Sequence, residues 1–506
     1  MLAAIRSAAV VGIDAYDVIV EVDAAPGLPQ WLIVGLPAGA VKESRERVSA
    51  ALVNSGFTLP PRRITVNLAP ADVRKEGSAF DLPIALGILV ATGQLEPKTV
   101  DGRIFVGELS LDGAVRNIRG ALSIARHIGR AWPGAVLVVP PANHAEAGRV
   151  TNISLAAPVA LRELVLQLRG DDLITGRLPE AVGTPRVYEV DFSDVVGQES
   201  AKRALEVAAA GSHNLVLIGP PGAGKTMLAR RLPTILPELS EEEALEVIAI
   251  HSVAGVLSDD ITLGARPFRA PHHSISGAGL IGGGSTPRPG EVSLAHNGVL
   301  FLDEMLEFPR GVLDGLRQPL EDATVVIARA AMSVTFPARF TLVGATNPCP
   351  CGRAGEPGRK CTCGPAEVAK YSARMSGPLT DRIDMHVPVG AVALRDLSAD
   401  SVTGGGSAPM RERVARARCV QRTRYRMLRG VTCNAHVAGR WLDRHTPVEP
   451  EARVLLHSAA SALELSARSY HRVLKVARTI ADLESEEKIH AQHVAEALRY
   501  RPSSRA

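Results

Sequence analysis

A glycine-rich turn at residues 219–226 is the part of this sequence whose residue types and spacing point most directly to chemistry. It follows a short apolar run, Asn214–Ile218, typical of a strand, and it leads into Met227–Leu232, which has helical character. Backbone amides in such a turn, with the amino terminus of the following helix, can cradle phosphate groups. The residues of the turn are Gly219, Pro220, Pro221, Gly222, Ala223, Gly224, Lys225 and Thr226. We predict that this loop binds ATP, with Lys225 on the β- and γ-phosphates and the Thr226 hydroxyl on Mg²⁺.

Two further apolar runs end in polar residues suited to the same reaction. Val299–Leu302 is followed by Asp303 and Glu304, and a carboxylate after a strand can hold Mg²⁺ while a second one polarises the attacking water. We assign Asp303 to the metal and Glu304 to the water. The run Phe340–Gly344 leads to Asn347, which we expect to orient the water or to sense the γ-phosphate. The alternatives are a solvated acidic turn for the first pair and an ordinary turn residue for Asn347.

Two arginines are candidates for contact with the γ-phosphate. Arg382 is expected to reach the nucleotide of a neighbouring subunit and to stabilise transition-state charge there. The alternative for Arg382 is an ion pair with Asp381 or Asp384. Arg468, near the start of a C-terminal helix, is expected to sense nucleotide within its own subunit. Its alternatives on nearby helical turns are Arg472 and Arg478.

Four of the six cysteines crowd into a stretch of fifteen residues. They are Cys349, Cys351, Cys361 and Cys363. Two thiolate pairs that close a short loop can hold a structural Zn²⁺ in tetrahedral geometry, although one residue between ligands is tighter than the usual two to four. Incidental free thiols are the alternative. A reducing compartment suits this usage better than a disulfide framework, and we expect a cytoplasmic protein.

Length and composition indicate an α/β protein of several domains. The chain has 506 residues, 46% of them hydrophobic and 22% charged, with a net charge of +4. We divide it into an α+β domain at 1–170, a linker at 171–189, an α/β core with the phosphate loop at 190–395, a flexible linker at 396–409 and a helical lid at 410–506. The longest uncharged apolar stretch, Leu82–Gly93, is too short to span a bilayer, so we predict no membrane passage.

Four longer strings resemble one family. They are Phe268–Ser274, Pro289–Gly298, Asn347–Gly352 and Val476–Asp482. With the phosphate loop, they are similar to the ComM/YifB family, the magnesium-chelatase-like AAA+ ATPases of bacteria, over nearly the whole chain. The resemblance implies a homohexameric ring with two inserted hairpins aimed at a central pore, here near Pro267–Pro289 and Val325–Thr335.

The resemblance also implies a DNA partner, single-stranded or branched, and a helicase-like role in branch migration during natural transformation or recombination. His272 and His273, in the first insert, could contact a moving strand or pack in a turn. Eight arginines between Arg411 and Arg429 could contact DNA phosphates, or form a solvated helix face or a subunit contact. A chelatase motor that inserts metal into a porphyrin is the alternative function.

The N-terminal block resembles the protease domain of Lon, which has a ribosomal-protein-S5-domain-2-like fold. Lys75–Ser78 lies where Lon carries its serine motif, but the segment that delivers Lon's catalytic lysine, here Ile118–Leu122, contains no lysine. A serine without a base is a poor nucleophile, so we expect Ser78 to be structural and an ATP-dependent protease to be the disfavoured alternative. The block is expected to serve in binding or ring assembly.

Overall fold

The computed structural model of the chain describes residues 2–176, 188–262, 264–284, 286–329, 332–354, 360–375, 377–391, 406–428, 430–437 and 440–501. The chain forms two compact units, Met1–Thr184 with Glu241–Leu263, and Pro185–Ser240 with Gly264–Ala506. The predicted linkers at 171–189 and 396–409 fall largely outside the described residues, at 177–187 and 392–405. Within the described residues, no helix is both long enough and apolar enough to cross a membrane.

The first unit is built on a mixed sheet. Its strands are β1 (Leu2–Val11), β2 (Asp14–Ala25), β3 (Gln30–Val34), β4 (Arg63–Ala69), β5 (Arg103–Phe105), β6 (Glu108–Leu109), β7 (Val115–Arg116), β8 (Val136–Val138) and β9 (Ser154–Ala156). Seven of them pair in the order β3-β4-β2-β1-β5-β8-β9, while β6 pairs with β7. Its helices include α1 (Gly39–Lys42), α2 (Ser44–Asn54), α3 (Asp81–Ala91), α4 (Ala121–Ala131), α5 (His144–Ala147) and α6 (Leu161–Gly170).

Helix α3 fills the centre of this unit. Every residue of α3 is buried, and the helix packs on β1 and β2. Its Gly87 allows the close approach, because a β-carbon there would lie 2.5 Å from a methyl group of Val22. An all-round apolar helix of this kind belongs in a core rather than at a surface.

Residues 241–263 pack with the first unit, although the sequence suggests a place for them in the 190–395 core. They form α9 (Glu241–Ala254) and α10 (Asp259–Thr262). Helix α9 packs against α4, and the Gly120 amide donates a hydrogen bond of 2.8 Å to the Ser252 hydroxyl. The physical reason is the apolar face of α9, where Val247, Ile248 and Ile250 are fully buried. A division of the sequence into consecutive domains cannot predict that residues 241–263 pack with the other unit.

The second unit contains a five-stranded parallel sheet in the order β11-β14-β17-β10-β18, as expected for an α/β core. Its strands are β10 (Leu215–Ile218), β11 (Phe268–Arg269), β12 (Gly282–Gly283), β13 (Arg288–Pro289), β14 (Val299–Leu302), β15 (Thr324–Arg329), β16 (Met332–Pro337), β17 (Thr341–Thr346) and β18 (Met385–Pro388). The central strands are buried apolar runs, and helices cover them. The first of these helices are α7 (Glu199–Gly211), α8 (Lys225–Ile235), α11 (Gly277–Ile281), α12 (Glu291–Leu294), α13 (Arg310–Asp314), α14 (Arg317–Asp322), α15 (Pro365–Ser372) and α16 (Gly377–Thr380).

Two small hairpins occupy the positions where the family resemblance implies inserts. Strand β12 pairs with β13, and β15 pairs with β16 over six residues on each strand. The hairpins touch each other, because the Arg329 side chain donates a hydrogen bond of 3.1 Å to the carbonyl of Gly284.

The C-terminal part of the second unit is helical, as expected for the lid. Its helices are α17 (Ser407–Tyr425), α18 (Arg440–His445), α19 (Pro450–Ala462), α20 (Ala467–Leu483) and α21 (Ala491–Arg499). Helix α17 begins three residues before the predicted boundary at 410. The Asp191 carboxylate accepts hydrogen bonds of 3.0 and 3.1 Å from the Ser407 amide, which fixes the start of the helix.

Candidate nucleotide site

The phosphate loop connects β10 to α8 at the carboxyl end of the parallel sheet. Gly222 and Gly224 have φ angles of +80° and +88°, a region that favours glycine. Gly219 lies so close to the carbonyl of Val389 that a side chain would collide with it. The three glycines are thus required by the backbone, and the loop leads directly into Lys225, the first residue of α8.

The Lys225 ammonium lies inside the loop with all three of its hydrogens used. It donates to the carbonyls of Gly219 and Pro220, at 2.7 and 2.9 Å, and to Asn347 Oδ1 at 3.1 Å. Burial lowers the pKa of Lys225, and the nearby carboxylates of Asp303 and Glu304 oppose that shift. The contact with Asn347 brings together two residues that the sequence places 122 positions apart.

The proposed magnesium ligands are adjacent. The Thr226 hydroxyl donates to Asp303 Oδ2 at 2.7 Å, while Asp303 Oδ1 accepts a 3.0 Å hydrogen bond from the Glu304 amide. A hydroxyl oxygen and a carboxylate oxygen are hard donors of the kind that Mg²⁺ takes when it also binds nucleotide phosphates. The two residues therefore fit a magnesium ion shared with a nucleotide.

A cavity of about 450 Å³ lies in front of these groups. Its lining residues are Pro221, Gly222, Ala223, Gly224, Lys225, Thr226, Met227, Asp303, Glu304, Ala345, Thr346 and Asn347. That volume lies in the range of small-molecule and cofactor sites. The structure thus gathers the predicted phosphate-loop residues with the acidic pair and Asn347, and the arrangement fits a triphosphate with one divalent cation.

Glu304 has a left-handed backbone conformation, with φ of +49° and ψ of +46°, and its side chain is 60% exposed. His273 lies beside it, with Nδ1 3.8 Å from Glu304 Oε2. The sequence alone does not single out His273 for this site. The signal that could have found it is the parallel pairing of β11 with β14, because adjacent parallel strands end at the same edge of a sheet.

Gln198 is a second residue that the sequence does not single out. Its side-chain amide donates to the carbonyl of Ala223, at 3.3 Å, and to the carbonyl of Gly390, at 2.6 Å. Gln198 thereby ties the start of α7 to the phosphate loop and to the segment after β18.

Arg382 and Arg468 meet on one carboxylate, Glu321. Arg382 pairs with it directly, and Arg468 Nη2 lies 3.8 Å from Glu321 Oε1. The Arg382 carbonyl accepts a 3.1 Å hydrogen bond from Asn214, which precedes β10, whereas the phosphate loop follows β10. A strand of this length separates its ends by about 13 Å. Both arginines therefore lie toward the opposite end of the sheet from the cavity, and the expectation that Arg468 senses nucleotide in its own subunit is not supported by this geometry.

The other lid arginines are engaged inside the second unit. Arg472 Nε lies 3.4 Å from Asp384 Oδ1. Arg478 is fully buried and pairs with Asp482 at 3.0 Å, and its guanidinium also donates to backbone carbonyls. Arg478 therefore holds the lid helices together, and it is the least available of the three for a nucleotide.

The four clustered cysteines do come together. Cys349 Sγ lies 3.4 Å from Cys351 Sγ and 3.7 Å from Cys361 Sγ, and the ligand atoms of all four, Cys363 included, lie within 4.8 Å of one another. Four sulfurs at this spacing fit a single tetrahedral Zn²⁺. The cluster follows Asn347 by two residues, so it adjoins the nucleotide site in sequence and in space.

The arginine run in α17 does not form one stripe. Arg411, Arg413, Arg418 and Arg424 contact carbonyl or carboxylate groups of the second unit. Arg416, Arg422 and Arg426 are exposed, while Arg429 is outside the described residues. Half of the run thus serves the fold, which weakens it as a DNA-binding surface.

Ser78 in the first unit donates a hydrogen bond to the Glu108 carboxylate. The nearest lysine along the chain, Lys75, is buried, and its ammonium has no hydrogen-bond partner among the described residues. Ser78 is therefore not paired with Lys75, and its structural role stays a prediction.

Comparisons with known proteins give the family. Three family profiles match: "Magnesium chelatase, subunit ChlI" at residues 191–397, "Subunit ChlI of Mg-chelatase" at 20–143 and "Magnesium chelatase, subunit ChlI C-terminal" at 404–501. The chain is 43% identical to competence protein ComM of Haemophilus influenzae over 99% of this chain and 97% of that one. It is 42% identical to YifB of Escherichia coli over 100% and 98% of the two chains. Lon protease 2 of Bacillus subtilis is 30% identical over 33% of this chain and 34% of its own length. The chain therefore belongs to the ComM/YifB family of magnesium-chelatase-like AAA+ ATPases.

Proposed function

We propose that this protein assembles into a ring and uses ATP hydrolysis to move single-stranded or branched DNA, as a branch-migration motor. The observation that carries the proposal is the presence, in one compact unit, of a cavity lined by the phosphate loop, the acidic pair and Asn347 together with two touching hairpins that bear exposed arginines. The relative from Haemophilus influenzae is named a competence protein, which agrees with a DNA partner.

The hydrolytic roles follow from the contacts around the cavity. Lys225 exchanges its loop carbonyls for phosphate oxygens, while Thr226 and Asp303 would hold Mg²⁺, which supplies charge neutralisation on the phosphates when bound. Glu304 is the open carboxylate at the cavity, and it accepts the proton of the attacking water. Asn347 accepts a hydrogen bond from the Lys225 ammonium, and its proposed role is to orient that water.

A neighbouring copy completes the site. Arg382 shares Glu321 with Arg468 and lies near the start of β10, whereas the phosphate loop follows the end of β10, and this favours contact of the two arginines with a phosphate in another subunit. An arginine from a neighbour stabilises the charge of the transferring phosphoryl group. This requirement favours a closed ring with head-to-tail contacts, and we propose a homohexamer.

The hairpins are the proposed DNA contacts. Arg288 lies in β13 and Arg329 ends β15, and both are exposed. Cationic side chains at such tips bind phosphates without reading sequence, which suits a motor that must pass along any strand.

The experiment compares ATP turnover with and without forked DNA, together with a branch-migration assay. We expect DNA to stimulate the wild type, Lys225→Ala to abolish turnover, and Arg329→Ala to weaken DNA binding with a smaller salt slope. Arg62→Ala, an exposed arginine in the first unit, is the matched control for loss of one positive charge. DNA that neither binds across a salt series nor stimulates turnover would refute the proposal. Recovery of a porphyrin-binding partner would favour the chelatase function instead.

The four cysteines are the second part of the proposal. We infer that they hold one Zn²⁺, because their four sulfurs lie within 4.8 Å of one another. The site would be structural, because four protein ligands leave no open position for a substrate. Elemental analysis of the purified protein should give about one zinc per chain, and a metal-free wild type would refute this assignment.

A further inference from the structure

We propose that the zinc knuckle, residues 349–354 and 360–363 with their four cysteines, braces the ATP site, so that loss of the metal weakens nucleotide binding. The inference rests on the zinc site proposed above and adds a function to it. Two separate connections between the knuckle and the cavity carry it.

The first connection is a direct contact with the phosphate loop. Gly352, inside the knuckle, has a φ of +78°, and a β-carbon at this position would lie 2.6 Å from Pro221 Cδ. The same hypothetical atom would lie 3.9 Å from the side-chain carbon of Asn347. The knuckle backbone therefore packs against both the wall of the phosphate loop and the residue that holds Lys225. Atoms packed this closely transmit displacements to one another, because no free space remains between them.

The second connection runs through α15, which follows the last cysteine. Gly364 caps this helix, and its amide donates to Glu367 at 3.0 Å. Near the other end of the helix, burial raises the pKa of Tyr371, and a hydrogen bond with Thr346, at the end of β17, opposes the shift. Arg374, just after α15, donates to the carbonyl of Leu306 at 3.1 Å. The helix thus contacts the segments that carry Asn347 and the acidic pair.

A bound Zn²⁺ would hold together the two chain segments that make these connections. Cys349 and Cys351 belong to the segment that carries Asn347, whereas Cys361 and Cys363 belong to the segment that starts α15. Residues 355–359, which join the two segments along the chain, are outside the described residues. A zinc ion ligated from both sides fixes Asn347 relative to α15. Without it, the sulfurs have only weak contacts with each other.

The test measures zinc content and nucleotide affinity separately in the full-length protein. We would purify the wild type, the double variant Cys351→Ser with Cys361→Ser, the single variant Gly352→Ala, and Cys419→Ser. The last is the matched control, since Cys419 is an exposed free cysteine away from the cluster. Zinc is measured by elemental analysis, and affinity with a fluorescent ATP analogue in excess Mg²⁺ and without turnover.

We expect the double variant to lose zinc and to bind the ATP analogue at least about tenfold more weakly, because loss of one well-placed hydrogen bond to a charged phosphate costs about that factor in affinity. Gly352→Ala should keep its zinc and still lose affinity, because the added methyl group collides with Pro221. Cys419→Ser should match the wild type in both measurements.

Three results would overturn the inference. If the double variant contains no zinc, elutes and melts like the wild type and binds the analogue equally well, the proposed coupling is refuted. The proposed zinc site is not refuted by that result. A wild type without zinc removes the zinc site and the brace together, while the ATPase and DNA proposals are unaffected. If the double variant does not fold, Gly352→Ala decides: full zinc with unchanged affinity refutes the contact.

Discussion

The location of Arg382 and Arg468 away from their own cavity leads to a prediction about mixed assemblies. Arg382→Ala leaves a chain with an intact cavity and no arginine to offer its neighbour. Lys225→Ala leaves a chain that cannot hold the triphosphate but still presents Arg382. Each variant alone should be nearly inactive, since removal of an arginine that contacts the γ-phosphate costs about 10³–10⁵ in turnover.

Arg382 would have to leave its present partners to reach a neighbour. The Arg382 side chain is 16% exposed and Glu321 is 53% exposed, and a hydrogen bond to a charged group contributes about 1.5–3 kcal/mol. Stabilisation of the transition state by an arginine is worth about 4–7 kcal/mol, which corresponds to the same 10³–10⁵ factor. The difference favours the phosphoryl group over Glu321 whenever a neighbour presents one.

An equal mixture of the two inactive variants should therefore regain ATP turnover. When subunits pair at random head to tail, about a quarter of the interfaces join an intact cavity to an intact Arg382. We expect up to about that share of wild-type phosphate release per interface, measured after the subunits have been allowed to exchange. Mixing Lys225→Ala with Lys225→Ala,Arg382→Ala is the control, because it creates no complete interface. If the active mixture gives only the sum of its parts while both variants still assemble, Arg382 does not act between subunits.

Three further predictions concern single side chains. Glu304→Gln should lower ATP turnover by at least about 100-fold and leave nucleotide affinity within about threefold, because only the proton acceptor is lost; equal turnover in a phosphate-release assay would contradict this role. His273→Ala should lower kcat by about tenfold at unchanged affinity, since its ring lies beside that carboxylate; a wild-type rate means that Glu304 needs no such support. Burial, with the charges of Arg501 and Arg472, lowers the pKa of His386 from 6.5 to about 4. The unfolded chain therefore takes up this proton first as the pH falls, and the free energy of unfolding should drop by about 2 kcal/mol between pH 7 and pH 5; urea unfolding of His386→Gln should lack that drop.

The phosphate loop, the acidic pair and Asn347 could be predicted from the sequence, because each follows a short apolar strand. In a parallel sheet, residues that follow strands meet at one edge, so local patterns suffice to bring them together. The four cysteines were equally visible, since a short loop fixes their proximity. For these residues, a position directly after a strand or within one short loop is enough to predict which side chains lie close together.

Other features depend on which distant segments pack together, and the sequence does not state that. His273 lies beside Glu304 because β11 is the neighbour of β14. Arg468 was expected near the nucleotide of its own chain, but the lid helix places it beside Arg382. Helix α9 lies between β10 and β11 in the sequence, but it packs on α4 of the first unit. In each case tertiary packing sets the partner of the element.

Asn347 links the three features from which this protein's activity is inferred. Its side chain accepts a hydrogen bond from Lys225, its β17 strand ends beside the cavity, and its chain enters the zinc knuckle two residues later. The knuckle therefore acts on the Lys225 ammonium through Asn347, whereas it acts on the acidic pair through a longer route, α15, Arg374 and the carbonyl of Leu306. Nucleotide binding should accordingly respond to the state of the cysteines more strongly than the chemistry at Glu304 does.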